Sequence, residues 1–243
     1  MFLVCLGFAG AASSVQAQSY PSKPIRLISP FVPGGGASIV ARLISEPLTE
    51  ALKESVVVDN RGGAGGLVAT EIAAHSPADG YTLMFASIPH VINPFLYKKV
   101  DYDAIKDFDA VVQFVAAPLM MATNINFPAK SVKELISIAK AKPGSIGYAS
   151  SGSGSTPHLA GEYLKMIAHV DLVHVPYKGA APALNEVLGG HVPITIAGPP
   201  PALPHLNSGK LKALAVTTAK RYATLPQVPT IAEAGFAGFD VSA

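Results

Sequence analysis

A chain of 243 residues, 49% hydrophobic and 14% charged, excludes a disordered polypeptide and carries apolar surface enough for one large or two modest cores. The formal net charge is +2, with lysine and arginine scattered rather than clustered, which points away from nucleic acid and anionic membrane surfaces. Tryptophan is absent and aromatic residues make up 7%, a poor basis for a platform that stacks bases or sugars.

The first nineteen residues carry no charge. Residues 2–12 form an apolar run as long as the core of a signal peptide and too short to span a bilayer. Val15-Gln16-Ala17 then fits the small-x-small pattern of a signal peptidase site, so residues 1–17 read as a signal peptide cut near Ala17-Gln18. A buried helix is the alternative, and the missing positive start of the segment suggests a start codon further upstream. Cys5, the only cysteine, falls inside this segment, so the mature chain is expected to have no thiol, disulfide or cysteine metal site.

From residue 25 the pattern is strand, glycine loop, helix, strand. Ile25-Arg26-Leu27-Ile28 reads as a buried strand, and residues 39–53 carry apolar side chains at helical spacing, with Pro47 as a kink or weak turn. Between them lie Pro33, Gly34, Gly35, Gly36 and Ser38. The spacing predicts a helix capped by Ser38, with free N–H groups of the first turn facing whatever sits above the strand. That is an anion cradle built from backbone, although a plain glycine connection has the same sequence. A second strand (residues 56–59) leads into the glycine loop of residues 60–66 and a helix over 67–75. A third strand (residues 81–86) ends at Ser87. Alternating strands and helices imply a parallel sheet, whose ligand loops gather at the carboxyl ends of the strands.

Residues 111–123 read as a strand crossing into a second lobe. A capped helix follows over 131–140, then a strand over 146–149 and the run Ser150-Ser151-Gly152-Ser153-Gly154-Ser155-Thr156-Pro157-His158. Thr156 is expected to cap a helix over 158–167 with Pro157 in its first turn. Strands over 172–177, 192–197 and 211–217 follow, with a helix over 181–188 and a proline-broken segment over 199–206 between them. The expected fold is α/β, a two-lobed clamshell in which each lobe is a mainly parallel sheet flanked by helices. Its expected divisions are 18–117, 118–236 and a return crossing from 237 to 243, with small-molecule binding between the lobes.

The blocks PFVPGGGASIVAR, VVVDNRGGAGGLVATEIA, SPADGYTLMFAS, SSGSGSTPHLAGEYL, VPYKGAAPALNEVLGGHV and SGKLKALAVTT with LPQVPTIAEAGF stand in order from residue 20 to the last residue. Together they resemble the periplasmic substrate-binding proteins of tripartite tricarboxylate transporters, the Bug family. The resemblance implies a monomeric periplasmic-binding-protein-like clamshell that delivers organic acids to two integral membrane subunits. It implies that the ligand carboxylate is held by loop backbone, small hydroxyls and bridging waters. Family members run on beyond the position of Ala243, which suggests a fragment or a shortened gene. Three positions depart from the family pattern: Ser38 stands where an Asp is usual, Pro193 where an acidic residue is usual, and Ile196-Ala197-Gly198-Pro199-Pro200 where a polar stretch is usual near the cleft.

The expected ligand-binding residues are Pro33, Gly34, Gly35, Ser38, Ala64, Gly65 and Ser87 from the first lobe. From the second come Ser153, Gly154, Ser155, Thr156, His158, Lys178 and Gly198. Each has a plain alternative as a cap, a tight turn or a solvated side chain. The neutral Ser38 favours a plain carboxylic acid over an amino acid. Three or four charge-assisted hydrogen bonds of about 1.5–3 kcal/mol each, less ordering costs, approach the roughly 8 kcal/mol of micromolar binding. Ser155 beside His158 invites a serine hydrolase reading, but there is no G-x-S-x-G elbow and no clear third member. No dinucleotide or Walker loop is present and the seven histidines show no metal-ligand spacing, so neither cofactor nor metal is expected. A truncated, non-binding remnant is the remaining alternative.

Overall fold

A computed structural model describes residues 19–113 and 115–243, so the signal-peptide segment lies outside the described residues. Among them no helix is long and apolar enough to cross a membrane. Two sheets organise the chain. In the first, β1 (Ile25–Ser29) lies between β2 (Val56–Asn60) and β3 (Thr82–Met84), all parallel, in the order β2-β1-β3. Helices α1 (Gly36–Leu52), α2 (Leu67–Ala74) and α3 (Pro89–Leu96) each start just beyond a strand's carboxyl end.

The second sheet has five strands in the order β6-β5-β7-β4-β8, with β4 Met120–Asn124, β5 Gly147–Ser150, β6 Val173–Pro176, β7 Ile194–Ala197 and β8 Leu211–Val216. Strands β5, β6 and β7 are mutually parallel, and β4 runs antiparallel to both β7 and β8. The helices are α4 (Val132–Ala141), α5 (Thr156–Ala168), α6 (Ala180–Leu188) and α7 (Pro199–Asn207). This is the two-lobed α/β arrangement that the alternating pattern implies.

Each lobe has its own core. Ile25, Leu27, Ala41, Val56 and Phe85 close the first. The second lobe buries side chains on both faces of its sheet, with Leu135, Tyr148, Leu164 and Ile194 on one and Met120, Ala149, Leu184 and Val216 on the other. Full burial of both faces is what the continuous apolar run of β7 requires. Ile196 and Ala197 are therefore core residues of this sheet, while Gly198, which caps α7, is half-buried and Pro200 is exposed.

Several elements differ from the sequence expectation. The expected crossing strand over 111–123 is strand only in Met120–Asn124, because Pro118 offers no N–H to a ladder and Val111 and Val112 are exposed. Residues 117–119 instead pair with the last residues: Ala117 and Ala243 exchange both backbone hydrogen bonds at 2.8 Å. Thr217 ties the two segments together, since its hydroxyl accepts from the Leu119 N–H at 3.0 Å and donates to the Val241 carbonyl at 2.6 Å. Residues 199–207 are a helix despite four prolines: those in its first turn occupy positions whose N–H groups have no helical partner. The same chemistry makes α3, with Pro89 in its first turn and Pro94 inside, a helix that the sequence pattern concealed.

Candidate ligand-binding site

Parallel strands bring the loops after β1, β2 and β3 to one edge of the first lobe, and those after β5, β6 and β7 to one edge of the second. These two edges face each other. Their meeting is made of backbone. A Cβ added at Gly65 would stand 1.8 Å from the Ser153 carbonyl oxygen, and one at Gly152 would stand 3.2 Å from Gly65 Cα. Gly34 and Gly35 abut Ala181 and Ala180, and Gly62 abuts the Lys178 carbonyl. The N-termini of α1, α2, α5 and α6 open from these same loops, so their unpaired N–H groups and positive dipole ends collect where the lobes meet.

The first loop is fixed by its own polar contacts. Gly35, not Ser38, is the cap residue of α1. Ser38 lies inside the first turn, buried, and its hydroxyl donates to Asn60 Oδ1 at 3.4 Å, while Asn60 Nδ2 donates to the Phe31 carbonyl at 2.8 Å. A short residue after Gly35-Gly36-Ala37 reaches back to the neighbouring strand instead of capping. Pro33 and Gly34 are exposed, Gly35 is buried, and Ala64 is exposed at φ 45° in the turn before α2. Ser87 is half-buried with its carbonyl accepting from the His90 N–H at 2.9 Å. Two arginines near this edge are engaged. Asp59 accepts from Arg26 at 2.6 and 2.8 Å and from Arg61 at 2.9 Å. Burial pushes the Asp59 carboxyl up, but the two guanidinium groups outweigh it and hold it below its ordinary range.

In the second lobe Ser155, not Thr156, caps α5: its hydroxyl accepts from the His158 N–H at 3.4 Å and donates to the Gly152 carbonyl at 2.6 Å. Thr156 is the first helical residue and is buried, as is Gly154, while Ser153 is half-buried and Lys178 exposed. The His158 ring is turned away from the Ser155 hydroxyl, and its Nδ1 accepts from the Gly154 N–H at 3.0 Å. Its ring stacks on His174 with centroids 3.9 Å apart, and His174 Nε2 lies 2.6 Å from the buried Ser150 hydroxyl. Behind them Glu162 accepts from the Tyr148 hydroxyl at 2.7 Å and from Lys165 at 3.0 Å. Asn60, Gly152, His174 and the Ala180–Ala181 helix start belong to this site but carried no sequence signal beyond their place beside glycine loops.

The stacked imidazoles carry a pH prediction. A backbone N–H only donates, so His158 Nδ1 must be unprotonated in this arrangement. Burial first, then the neighbouring His158, pull His174 from its ordinary 6.5 to about 4, and burial also lowers His158. A histidine that is neutral when folded takes up its proton on unfolding, so the contribution of His174 to stability is full above pH 6.5, falls between 6.5 and about 4, and levels off below. Discounted for partial exposure, the expected loss at His174 is about 2 kcal/mol. Urea midpoints measured from pH 7 to 4 should drop accordingly, and His174→Phe should flatten that drop. An equal drop in the variant would remove His174 as the cause.

Residues 40–243 match the family described as tripartite tricarboxylate transporter family receptor. The chain is 37% identical to the protein BugT of Bordetella pertussis, over 98% of this chain and 74% of that protein. Among solved structures, Rpa4515 of R. palustris with adipate is similar at TM-score 0.89 and 39% identity, covering 92% of this chain and 75% of that one. The periplasmic binding protein BugD is similar at TM-score 0.87 and 37% identity, with the same coverage. The chain belongs to the TctC family of tripartite tricarboxylate transporter receptors, the periplasmic solute-binding family that includes the Bug proteins.

Proposed function

We propose that this protein is exported, with cleavage near Ala17-Gln18, and captures a small organic carboxylate between its lobes. It then hands the acid, as a monomer and without chemical conversion, to the two integral membrane subunits of a tripartite transporter. The lobes divide at about 117/118 and 236/237. The observation that carries the reading is the meeting of the glycine loops, which places helix N-termini from both lobes around one spot while Arg26 and Arg61 stay engaged with Asp59. A carboxylate there takes backbone N–H groups as donors, and closing the lobes removes it from water, where such bonds strengthen. The likeness to a protein solved with adipate supports an acid of that class. Of the expected ligand residues, Pro33, Gly34, Gly35, Ala64, Gly65, Ser87, Ser153, Gly154, Thr156, Lys178 and Gly198 stay in the proposal. Ser38, Ser155 and His158 enter it as residues that hold the loops in place.

Two observations support binding rather than catalysis. The Ser155 hydroxyl is spent on the Gly152 carbonyl, and Ser150, the serine that does touch a histidine, is fully buried. The test is thermal unfolding of the purified chain against a panel of di-, tri- and aromatic carboxylates. A ligand at about a hundred times its dissociation constant adds roughly 2.7 kcal/mol, a rise of about 5–10 °C at this size. A selective rise establishes the binding role and its ligand class. A cooperative melt that no carboxylate moves would overturn it.

A further inference from the structure

Residues 152–154 form the second lobe's side of the backbone meeting with the first. A Cβ added at Gly152 would stand 3.2 Å from Gly65 Cα, and one added at Gly154 would stand 2.8 Å from Leu96 Cδ1. Between them, the Ser153 carbonyl oxygen fills the space that a side chain on Gly65 would need. Two serines hold Gly152: its N–H donates to the Ser150 hydroxyl at 3.1 Å, and its carbonyl accepts from the Ser155 hydroxyl at 2.6 Å. Gly154 is held by His158, whose Nδ1 accepts its N–H at 3.0 Å. Of these three bonds, only the last is accepted by a group that itself titrates near neutral pH. Gly154 stands at φ 78°, a conformation that glycine enters and leaves without steric cost.

A proton on His158 Nδ1 turns the acceptor into a donor that faces another donor, the Gly154 N–H. The ring or the peptide must then turn, and the loop loses the bond that fixes its last glycine. Charged and titratable groups surround the half-buried ring. Glu162 and Lys165 lie on the same helix, and His174 of β6 stacks on the ring with centroids 3.9 Å apart. The Tyr148 hydroxyl of β5 lies 3.3 Å from the His158 carbonyl oxygen and donates to Glu162 at 2.7 Å. Burial pushes the Glu162 carboxyl up, but its bonds from Tyr148 and Lys165 outweigh that and hold it below its ordinary range, so it stays ionised. Stacked imidazoles this close do not both carry charge, and burial, then the neighbouring His158, pull His174 down to about 4, so the first proton goes to His158. We propose that His158 is a proton-operated latch on the loop of residues 152–154: neutral, it holds the loop in the shape that meets the first lobe, and protonated, it frees the loop and lets the lobes part. Burial lowers His158 from its ordinary 6.5, so the latch is shut above that pH and opens as the pH falls below it. Its bearing on ligand capture rests on the solute-binding reading above: acid uncouples the two halves of the cradle, and the carboxylate leaves.

Hydrogen exchange at the Gly154 amide of the unliganded full chain tests the latch, with circular dichroism at each pH to show that the chain stays folded. Between about pH 7.5 and about pH 5, protection corrected for intrinsic exchange should fall about 5-fold or more in the parent. In His158→Asn, whose Oδ1 takes the place of Nδ1 as acceptor and does not titrate, it should change by less than about 2-fold. His158→Phe offers no acceptor and should leave the amide exchanging fast at both pH values, so the result does not hinge on the fit of asparagine. No fall in the parent, or an equal fall in His158→Asn, overturns the latch. Calorimetric titration with adipate, citrate and benzoate at the same two pH values tests its bearing on capture. On acidification the affinity of the parent should fall about 10-fold more than that of His158→Asn, a comparison that cancels the titration of the acid itself. Protection that falls while the two proteins lose affinity equally overturns the coupling of the loop to capture. Failure of all three acids to bind the parent at the higher pH counts against the solute-binding reading, and exchange at Gly154 alone then decides the latch.

Discussion

Gly65→Ala is expected to weaken carboxylate binding at least 100-fold, by about 2.8 kcal/mol, while leaving most of the folding stability in place. Gly65 sits at φ 62°, where an alanine costs roughly 1–2 kcal/mol, and that strain is the smaller effect. The larger one is position: the new Cβ would lie 1.8 Å from the Ser153 carbonyl oxygen. The atom in the way is backbone, not the end of a flexible side chain, and Gly152 beside it is itself close enough to Gly65 that an added Cβ there would stand 3.2 Å from Gly65 Cα. The lobes must then stay apart, and the two halves of the cradle no longer close on one ligand. Small-angle scattering should show no compaction on adding a carboxylate that compacts the parent chain. Gly36→Ala is the matched control, since a Cβ there meets nothing within 4 Å and stands at a helix start. Parent-like affinity in Gly65→Ala would mean that ligand capture does not use this closed contact.

Gly161→Ala is expected to cost about 2–3 kcal/mol of stability, against the usual gain of about 1 kcal/mol for this change inside a helix. The reversal comes from Tyr148, fully buried on β5, whose ring edge lies across the Gly161 position of α5. The added methyl would approach its Cε2 to 2.3 Å and Cζ to 2.5 Å. The ring has nowhere to retreat, since its hydroxyl is held by Glu162 and its face lies against His174. Burial beside that carboxylate pushes the phenol well above its ordinary range, so it stays a donor. The melting temperature should fall by roughly 5–10 °C. In a Tyr148→Leu background the same change should cost much less, and a double-mutant cycle measures the coupling. A cost that is identical in both backgrounds would place the strain elsewhere.

What the sequence made legible was the part governed by local rules. Gly/Ser loops between an apolar strand and an amphipathic helix mark a backbone cradle wherever strands are parallel, and residues 33–38, 60–66 and 150–158 do reach the facing edges of the lobes. What stayed hidden was decided by contacts between distant residues. Ser38 was open to a capping role until Asn60, twenty-two positions on, took its hydroxyl. Ser155 outcompetes Thr156 as a cap because its hydroxyl can also reach the Gly152 carbonyl. Pro89 and Pro94 masked α3, since proline weakens the helical pattern even where it fits. The apolar stretch Ile196-Ala197 suggested a changed cleft, but pairing with Met121 and Met120 of β4 and near-complete burial place it in the sheet interior.

The antiparallel direction of β4 has a mechanical consequence. Because β4 runs against β7 and β8, its first residue, Met120, is level with Ala197 and Val216, at the same edge as the ligand loops. Residues 117–119, which lead into β4, thus lie at that edge, and Thr217 braces them there against residues 241–243. A pivot this close to the load has a short lever arm. On the binding reading proposed above, a modest twist of a few backbone torsions here would separate the lobes near the ligand by only a small distance, while their far ends would swing widely.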